Sequence, residues 1–522
     1  MHLSVTFKIL GVLLMLFSSA MIVPLLLALV AADGTVGGFV TALAITFVSG
    51  LVLWLPNRNA SQELRIRDGF LITSLFWTVL GLFGSLPFLL TDALHLTVTE
   101  AIFESVSGLT TTGATVIVGL DDLPRSLLLY RQLLQWLGGI GIIVVAVAVL
   151  PMLGIGGMQL YKAETPGPSK DSKLTPRITE TAKALAIVYV ALTAACTLAY
   201  YLAGMSSFDA VAHAFSTVAI GGFSTHDASM GYFENDAILM VCSVFMVISA
   251  INFGIHFLAW RRVTRDVAVA TTYSVVHGRG LKAGFMRFRE HTVALFKALS
   301  PARWAPMYGK DSETRFYLYV LGICVWVTAG YLMVSGTLGV EESITHGIFQ
   351  AISITTTTGF ATHDFASWPS FLPVMLIMFS FIGGCVGSTG GGMKAMRVML
   401  IYKQGVRELK QLIHPNAVIP LKVGRRRVPA TVVSAVWSFF AVYTTSFIII
   451  MLLLMATGLD FTTAFSAVAA ALNNLGPGLG EVAANYGSIS EPAKAILCFT
   501  MLLGRLEVFT LLVLFTPMFW RL

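Results

Sequence analysis

The chain has 522 residues, of which 56% are apolar and 12% charged, with a formal net charge of +7 and a mean hydropathy of +0.80. Soluble globular proteins carry about a quarter charged residues, so this balance excludes an ordinary soluble enzyme and an intrinsically disordered chain. What remains is an all-α polytopic membrane protein.

A bilayer-spanning helix needs about 20 mostly apolar residues. Runs of that kind fall at 8–31, 36–55, 69–90, 126–153, 182–204, 237–260, 316–336, 371–402, 430–456 and 492–519. The first exceeds the ~7–15-residue apolar core of a cleaved signal peptide and reads as a retained span. Four shorter apolar pieces, at 99–109, 209–218, 344–354 and 462–472, each lie between two spans and have the length of re-entrant segments. The five cysteines stand singly inside apolar stretches, which suggests neither a disulfide framework nor a zinc site.

Lysine and arginine collect on cytoplasmic loops, and here the loops alternate without exception. One side holds Arg58, Arg65 and Arg67, then Lys162, Lys170, Lys173, Arg177 and Lys183, then the 261–315 segment, then Lys403 to Arg427. The other side, 91–124, 204–236, 337–370 and 457–490, has no Lys or Arg but carries acids that include Glu100, Glu104, Asp121, Asp209, Asp227, Glu342, Asp364 and Asp460. The positive-inside rule alone accounts for this clearing, and the summed negative field would also concentrate cations. The net charge of +7 therefore describes the basic side and points to no nucleic-acid partner.

The short pieces repeat. Gly222-Phe223-Ser224-Thr225-His226-Asp227 matches Gly359-Phe360-Ala361-Thr362-His363-Asp364. In the same frame Thr110-Thr111-Thr112-Gly113 stands beside Ala219-Ile220-Gly221-Gly222, Thr356-Thr357-Thr358-Gly359 and the divergent Asn473-Asn474-Leu475-Gly476. The expected fold is two leading transmembrane helices followed by four pseudo-fourfold helix–pore-loop–helix repeats around a central ion pore. Its divisions are 1–60 for the leading helices, 61–156 and 157–262 for repeats 1 and 2, 263–315 for a basic cytoplasmic segment, and 316–404 and 405–522 for repeats 3 and 4. Backbone at membrane depth is tolerated where it lines a water-filled cavity or is buried in protein. Carbonyls aimed at an axis can replace an ion's hydration shell, and the carbonyl ends of the short helices favour a cation there.

Two features lie outside the loops. The eighth span is interrupted by Gly383-Gly384-Cys385-Val386-Gly387-Ser388-Thr389-Gly390-Gly391-Gly392-Met393-Lys394, too flexible and polar to stay helical. It reads as a gate below the filter or as a tolerated kink, and not as a nucleotide-binding P-loop, because Met follows the last glycine. Arg505 and Glu507 lie within the last span, where an ionisable residue is costly. Arg505 either sets a barrier to cations or holds the Gly-rich loop, or it is a structural arginine paired with a carbonyl or carboxylate on a neighbouring span. Arg125, Arg131, Lys394 and Arg397 are expected to snorkel or pair, with a gating role assigned only to Lys394. His226-Asp227 and His363-Asp364 are either an outer vestibule or capping pairs. No triad, nucleophile elbow or zinc helix argues for enzyme chemistry.

The four loops, with Gly387-Ser388-Thr389-Gly390-Gly391-Gly392-Met393-Lys394 and the Arg505 span, resemble the superfamily of potassium transporters, specifically its TrkH/TrkG/TrkI branch of bacterial potassium-uptake subunits. The resemblance implies K⁺ and Rb⁺ uptake through a gated pore, one per subunit of a homodimer in the bacterial inner membrane, with both termini cytoplasmic. It implies K⁺ held by backbone carbonyls of Thr111, Thr112, Ile220, Gly221, Thr357, Thr358, Asn474 and Leu475. It also implies a gating loop at 383–394 and Arg505 in the permeation path. A TrkA-type cytoplasmic partner would carry the NAD or ATP, and this chain would bind no cofactor. Glycine at all four key positions goes with K⁺ selectivity in that superfamily, and serine in the first repeat with Na⁺ transport in some relatives. Na⁺- or H⁺-coupled K⁺ symport, or less selective monovalent cation transport, remains the alternative.

Overall fold

The computed structural model describes residues 2–62, 64–148, 178–276, 301–424 and 426–521. The basic loop at 162–177, the 156/157 repeat boundary and the 277–300 part of the basic segment lie outside them. Over its described residues each of the ten expected spans falls on a helix or a broken pair of helices, with 149–153 of the fourth outside them. The leading pair is Leu3–Ala20, continued after Met21 by Ile22–Ala31, and Val36–Asn57.

Four units of the same kind follow. Their first spans are Ile66–Gly84, Ile178–Leu202, Ser312–Ser335 and Ala430–Ala456. Their short pore helices are Val98–Leu109, Ser207–Ala219, Val340–Thr355 and Phe461–Asn473. The second spans differ. Arg125–Ala148 is one helix, whereas Asp236–Ser249 bends by 99° into the Phe253–Val276 helix, and Glu491–Arg505 bends by 109° into the helix at Phe509. In the third unit Phe371–Ser380 stops, and helix resumes only at Ala395–Ile413.

The spans expected at 237–260 and 492–519 are each broken by a bend that the apolar pattern did not indicate. Neither break contains glycine or proline. Tertiary hydrogen bonds make them: the Ala250 carbonyl accepts from Cys385 N–H at 2.8 Å, and Phe253 N–H donates to the Gly387 carbonyl at 3.1 Å. At the other bend Glu507 takes a positive φ of 54°, and its carboxylate pairs with Arg397 at 2.5 Å. Among the described residues six helices are long and apolar enough to cross a membrane, and the two bent pairs pass the same test.

The pore helices start at the acidic end of the bundle and are capped there. Thr97 and Glu100 cap each other's backbone N–H groups, Ser206 accepts from Asp209 N–H, Glu342 accepts from Gly339 N–H, and Asp460 accepts from Thr462 and Thr463 N–H. Negative groups at helix N-termini also complement the helix dipole. Each pore helix then runs inward with its carbonyl end buried among the spans. Close backbone packing makes this possible, as small residues allow in membrane bundles. Gly504 on the last span lies so near pore helix 4 that an added Cβ would stand 2.2 Å from the Leu472 carbonyl oxygen.

Gly504→Val should therefore fold poorly, with a thermal midpoint in detergent well below wild type. Gly330→Ala, at a helical glycine with nothing within 4 Å of the new methyl group, should match or exceed wild type, since alanine in a helix gains roughly 0.5–1 kcal/mol over glycine. Thermal unfolding of the purified proteins, followed by tryptophan fluorescence, measures both.

Candidate functional site

All four pore helices end in the same hydrogen-bonded motif. The N–H of Thr112, Gly221, Thr358 and Leu475 donates five residues back, to the carbonyls of Ser107, Ser216, Ser353 and Ala470, at 2.8–2.9 Å. The residue before each of them donates three residues back, giving a Schellman termination. Its left-handed position is normally glycine, but here it is Thr111, Ile220, Thr357 and Asn474, with φ of 54°, 55°, 67° and 53°. Each costs roughly 1–2 kcal/mol relative to ordinary backbone. Four equivalent outliers, three of them β-branched, mark a place where strain is held for a purpose.

Two residues further on come Gly113, Gly222, Gly359 and Gly476, with φ of 80–97°. Their neighbours define a closed ring. An added Cβ would stand 2.1 Å from the Gly221 carbonyl oxygen at Gly113, 2.1 Å from that of Thr358 at Gly222, 2.0 Å from that of Leu475 at Gly359, and 2.8 Å from that of Thr112 at Gly476. Each glycine thus leans on the carbonyl that precedes the next repeat's glycine, in the cyclic order 1-2-3-4. The four glycines predicted from the sequence and the residues before them form this ring, and the other predicted loop residues lead into it from the ends of the pore helices.

The ring is buttressed in three ways, one of them shared by loops 1 and 3. Thr110 and Thr112 share a hydroxyl–hydroxyl hydrogen bond of 2.7 Å, as do Thr356 and Thr358. Asn474 donates to Thr112 Oγ1 at 2.9 Å and to the Met501 carbonyl at 3.0 Å. Asn473 sits between the Tyr443 hydroxyl and Ser380 Oγ, at 2.5 and 2.9 Å. Tyr486 donates to the Gly476 carbonyl at 2.7 Å. Gln135 donates to that of Gly221 at 2.6 Å, which leaves the second lone pair of this carbonyl free.

Directly behind the ring lies an ion pair that sequence reasoning placed elsewhere. Glu104, grouped with the acidic mouth, and Arg131, expected to snorkel or pair, are both buried and joined at 2.8 Å. Glu104 also accepts from Thr115 Oγ1 and Val116 N–H, and Arg131 donates to the Ser224 carbonyl and faces the Phe223 ring at 4.3 Å. The pair ties the exits of loops 1 and 2 to pore helix 1. The available signal was an ionisable residue at pore-helix depth.

The glycine-rich stretch is non-helical, as expected, and packs against the inner side of the ring. Gly391 N–H donates to Thr357 Oγ1 at 2.7 Å and Gly392 N–H to the Asn473 carbonyl at 3.1 Å, while Thr389 Oγ1 donates to the Val218 carbonyl at 3.0 Å. A Cβ on Gly391 would stand 1.8 Å from the Asn473 carbonyl oxygen. One loop therefore touches the carbonyl ends of pore helices 2 and 4 and a filter threonine of the third. Arg505 is buried and donates to the carbonyls of Thr389 at 3.0 Å and Gly138 at 3.3 Å. Lys394 bonds back to the Gly390 carbonyl. Arg505 and Glu507, two residues apart, take different partners, since Glu507 pairs with Arg397.

At the acidic end the carboxylates are largely committed to local bonds. Besides the caps, Asp227 accepts from Gly119 and Leu120 N–H at 3.1 and 2.9 Å, and Asp364 caps a short turn at Ala366. His226 bonds Asp121 at 2.5 Å and stacks on Tyr232. That hydrogen bond holds the Asp121 carboxyl below its usual range. Lys494, at the start of the last span, reaches Glu100 at 2.7 Å. Many of these carboxylates are thus held by local hydrogen bonds, and Lys494 offsets the charge of Glu100. Asp364 is a cap, and Asp227 and His226 staple loops 1 and 2.

The family model for TrkH, a cation transport protein, matches residues 37–522. The Trk system potassium uptake protein TrkH of Halomonas elongata is 52% identical over 521 residues, covering 100% of both chains. Its namesake in Escherichia coli K12 is 50% identical over 525 residues, again covering 100% of each. The crystal structure of the potassium transporter TrkH from Vibrio parahaemolyticus matches with a TM-score of 0.85 at 49% identity, covering 100% of both chains.

Glu104→Gln would leave Arg131 charged, buried and without its carboxylate, and breaking a buried pair from one side costs roughly 3–5 kcal/mol. The thermal midpoint in detergent should drop clearly. Asp121→Asn, at a half-exposed pair of the kind worth about 0–1 kcal/mol, should leave it near wild type.

Proposed function

The chain belongs to the TrkH family of cation transport proteins, and on that premise we propose that it carries K⁺ and Rb⁺ into the cell through a gated, K⁺-selective pore. The observation that carries this reading is the closed ring of four glycine-centred loops at the carbonyl ends of four inward-pointing helices. Backbone carbonyls of Thr111, Thr112, Ile220, Gly221, Thr357, Thr358, Asn474 and Leu475 are the proposed K⁺ ligands. They replace water, while the negative ends of the helix dipoles favour a cation over an anion. Residues 383–394 form the proposed gate, latched by Arg505 through the Thr389 carbonyl. Closed, this loop occupies the helix ends that would otherwise face the ion, and the guanidinium adds a positive charge below the filter.

An inside-negative potential supplies about 2.3 kcal/mol per charge per 100 mV, so accumulation requires no hydrolytic site in this chain. Family membership and the basic inner end also support a homodimer in the bacterial inner membrane. Its gate would answer to a cytoplasmic TrkA-type subunit that binds the nucleotide.

The test is flux into proteoliposomes holding the purified chain, with imposed K⁺, Rb⁺, Na⁺ or Li⁺ gradients and a clamped potential. K⁺ and Rb⁺ should move well ahead of Na⁺ and Li⁺ without any second gradient, and equal rates for all four ions would defeat the reading. Gly113→Ser, which presses a side chain toward the Gly221 carbonyl, should reduce the K⁺:Na⁺ flux ratio about tenfold or more, equivalent to a 1.4 kcal/mol loss of discrimination. Arg505→Ala should raise basal K⁺ flux severalfold. A fall in flux with normal folding would remove the latch.

A further inference from the structure

Filter loop 2 lacks the brace that holds loops 1 and 3. Where those loops have the hydroxyl pairs Thr110–Thr112 and Thr356–Thr358, loop 2 has Ala219 and Gly221. A buried side chain from the neighbouring repeat fills the gap. Gln135, on the second span of repeat 1, donates through Nε2 to the Gly221 carbonyl at 2.6 Å. Its Oε1 accepts from Ser216 Oγ at 2.6 Å and from Phe223 N–H at 3.2 Å. The backbone N–H can only donate and the carbonyl can only accept, so the amide has one workable orientation.

Gly221 and Gln135 require each other. A Cβ on Gly221 would stand 2.3 Å from Gln135 Cδ and 2.4 Å from its Oε1. Gly221, unlike Gly222, lies outside the left-handed region, so space for the amide is what reserves this position for glycine. One turn earlier on the same helix, Arg131 holds the next stretch of loop 2 at Ser224 and Phe223.

We propose that Gln135 is a positioning residue that sets ion selectivity at filter loop 2, replacing across the boundary between repeats 1 and 2 the hydroxyl brace that loops 1 and 3 carry within themselves. This rests on reading the ring as a K⁺ filter. Without the amide, loop 2 has nothing equivalent to keep the Gly221 carbonyl at a fixed distance, and a filter that can relax around a smaller ion loses discrimination before it loses conduction.

The experiment measures K⁺ and Na⁺ flux in proteoliposomes with the full-length chain, comparing wild type, Gln135→Met, Gln135→Glu and Gly113→Ser. Gln135→Met keeps the length and removes all three hydrogen bonds. Gln135→Glu, when ionised, keeps the acceptor and sets a carboxylate oxygen against the Gly221 carbonyl in place of the donor. Both should lower the K⁺:Na⁺ ratio about tenfold, a 1.4 kcal/mol change in discrimination, while K⁺ flux stays measurable and size-exclusion profiles match wild type. The combination Gln135→Ala, Ala219→Thr and Gly221→Thr gives loop 2 a hydroxyl pair and should recover most of the ratio, which a side chain serving stability alone would not do. A wild-type ratio in both Gln135 variants, with Gly113→Ser shifted, overturns the brace and leaves the filter intact. No shift in any of them overturns the filter reading itself. A triple variant as unselective as Gln135→Met overturns the equivalence of the two braces.

Discussion

Four glycines pressed against four carbonyls impose the constraint on which this molecule is built. At each crossing the backbone of one loop meets the backbone of the next with no room for a side chain, so no quarter of the ring can be displaced without opening its neighbours. Much of the remaining architecture serves that contact. The pore helices must end abruptly and at one depth, which the strained terminations at Thr111, Ile220, Thr357 and Asn474 achieve. The surrounding spans must come close enough to hold those ends, which residues such as Gly504 allow. Together the four strained residues store several kcal/mol, and the buried ion pair, hydroxyl pairs and amides around them keep that strain from relaxing.

Much of this plan was legible in the amino-acid order. Apolar runs of spanning length and short ones between them separate through-going from re-entrant helices by length alone. The recurrence of Gly113, Gly222, Gly359 and Gly476 in the same frame marks the loops, and a density of glycine at 383–394 marks the break in the eighth span. These signals are local, each read from a single continuous stretch of chain.

What was not legible depends on partners far apart in sequence. The bends after Ser249 and Arg505 occur in stretches without glycine or proline at the break, because distant backbone groups at Cys385 and Gly387, and a distant arginine, Arg397, draw the chain aside. Glu104 looks like one more acid near the mouth until Arg131 is folded beside it. Gln135 carries no sequence signal of its own, since its role answers an absence, the missing threonines of a loop more than 80 residues away. The carboxylates of the acidic end illustrate the same limit: composition counts their charge, but folding commits many of them to caps and staples.

Carrying all four quarters on one chain separates this ring from one assembled out of identical subunits. In a symmetric tetramer any substitution is made four times, and the pore moves in large steps. Here hydroxyl pairs in loops 1 and 3, an interrepeat amide at loop 2 and two asparagines at loop 4 are different supports, each written once in the chain. A substitution can therefore be made at one support alone, where a symmetric tetramer would make it four times over.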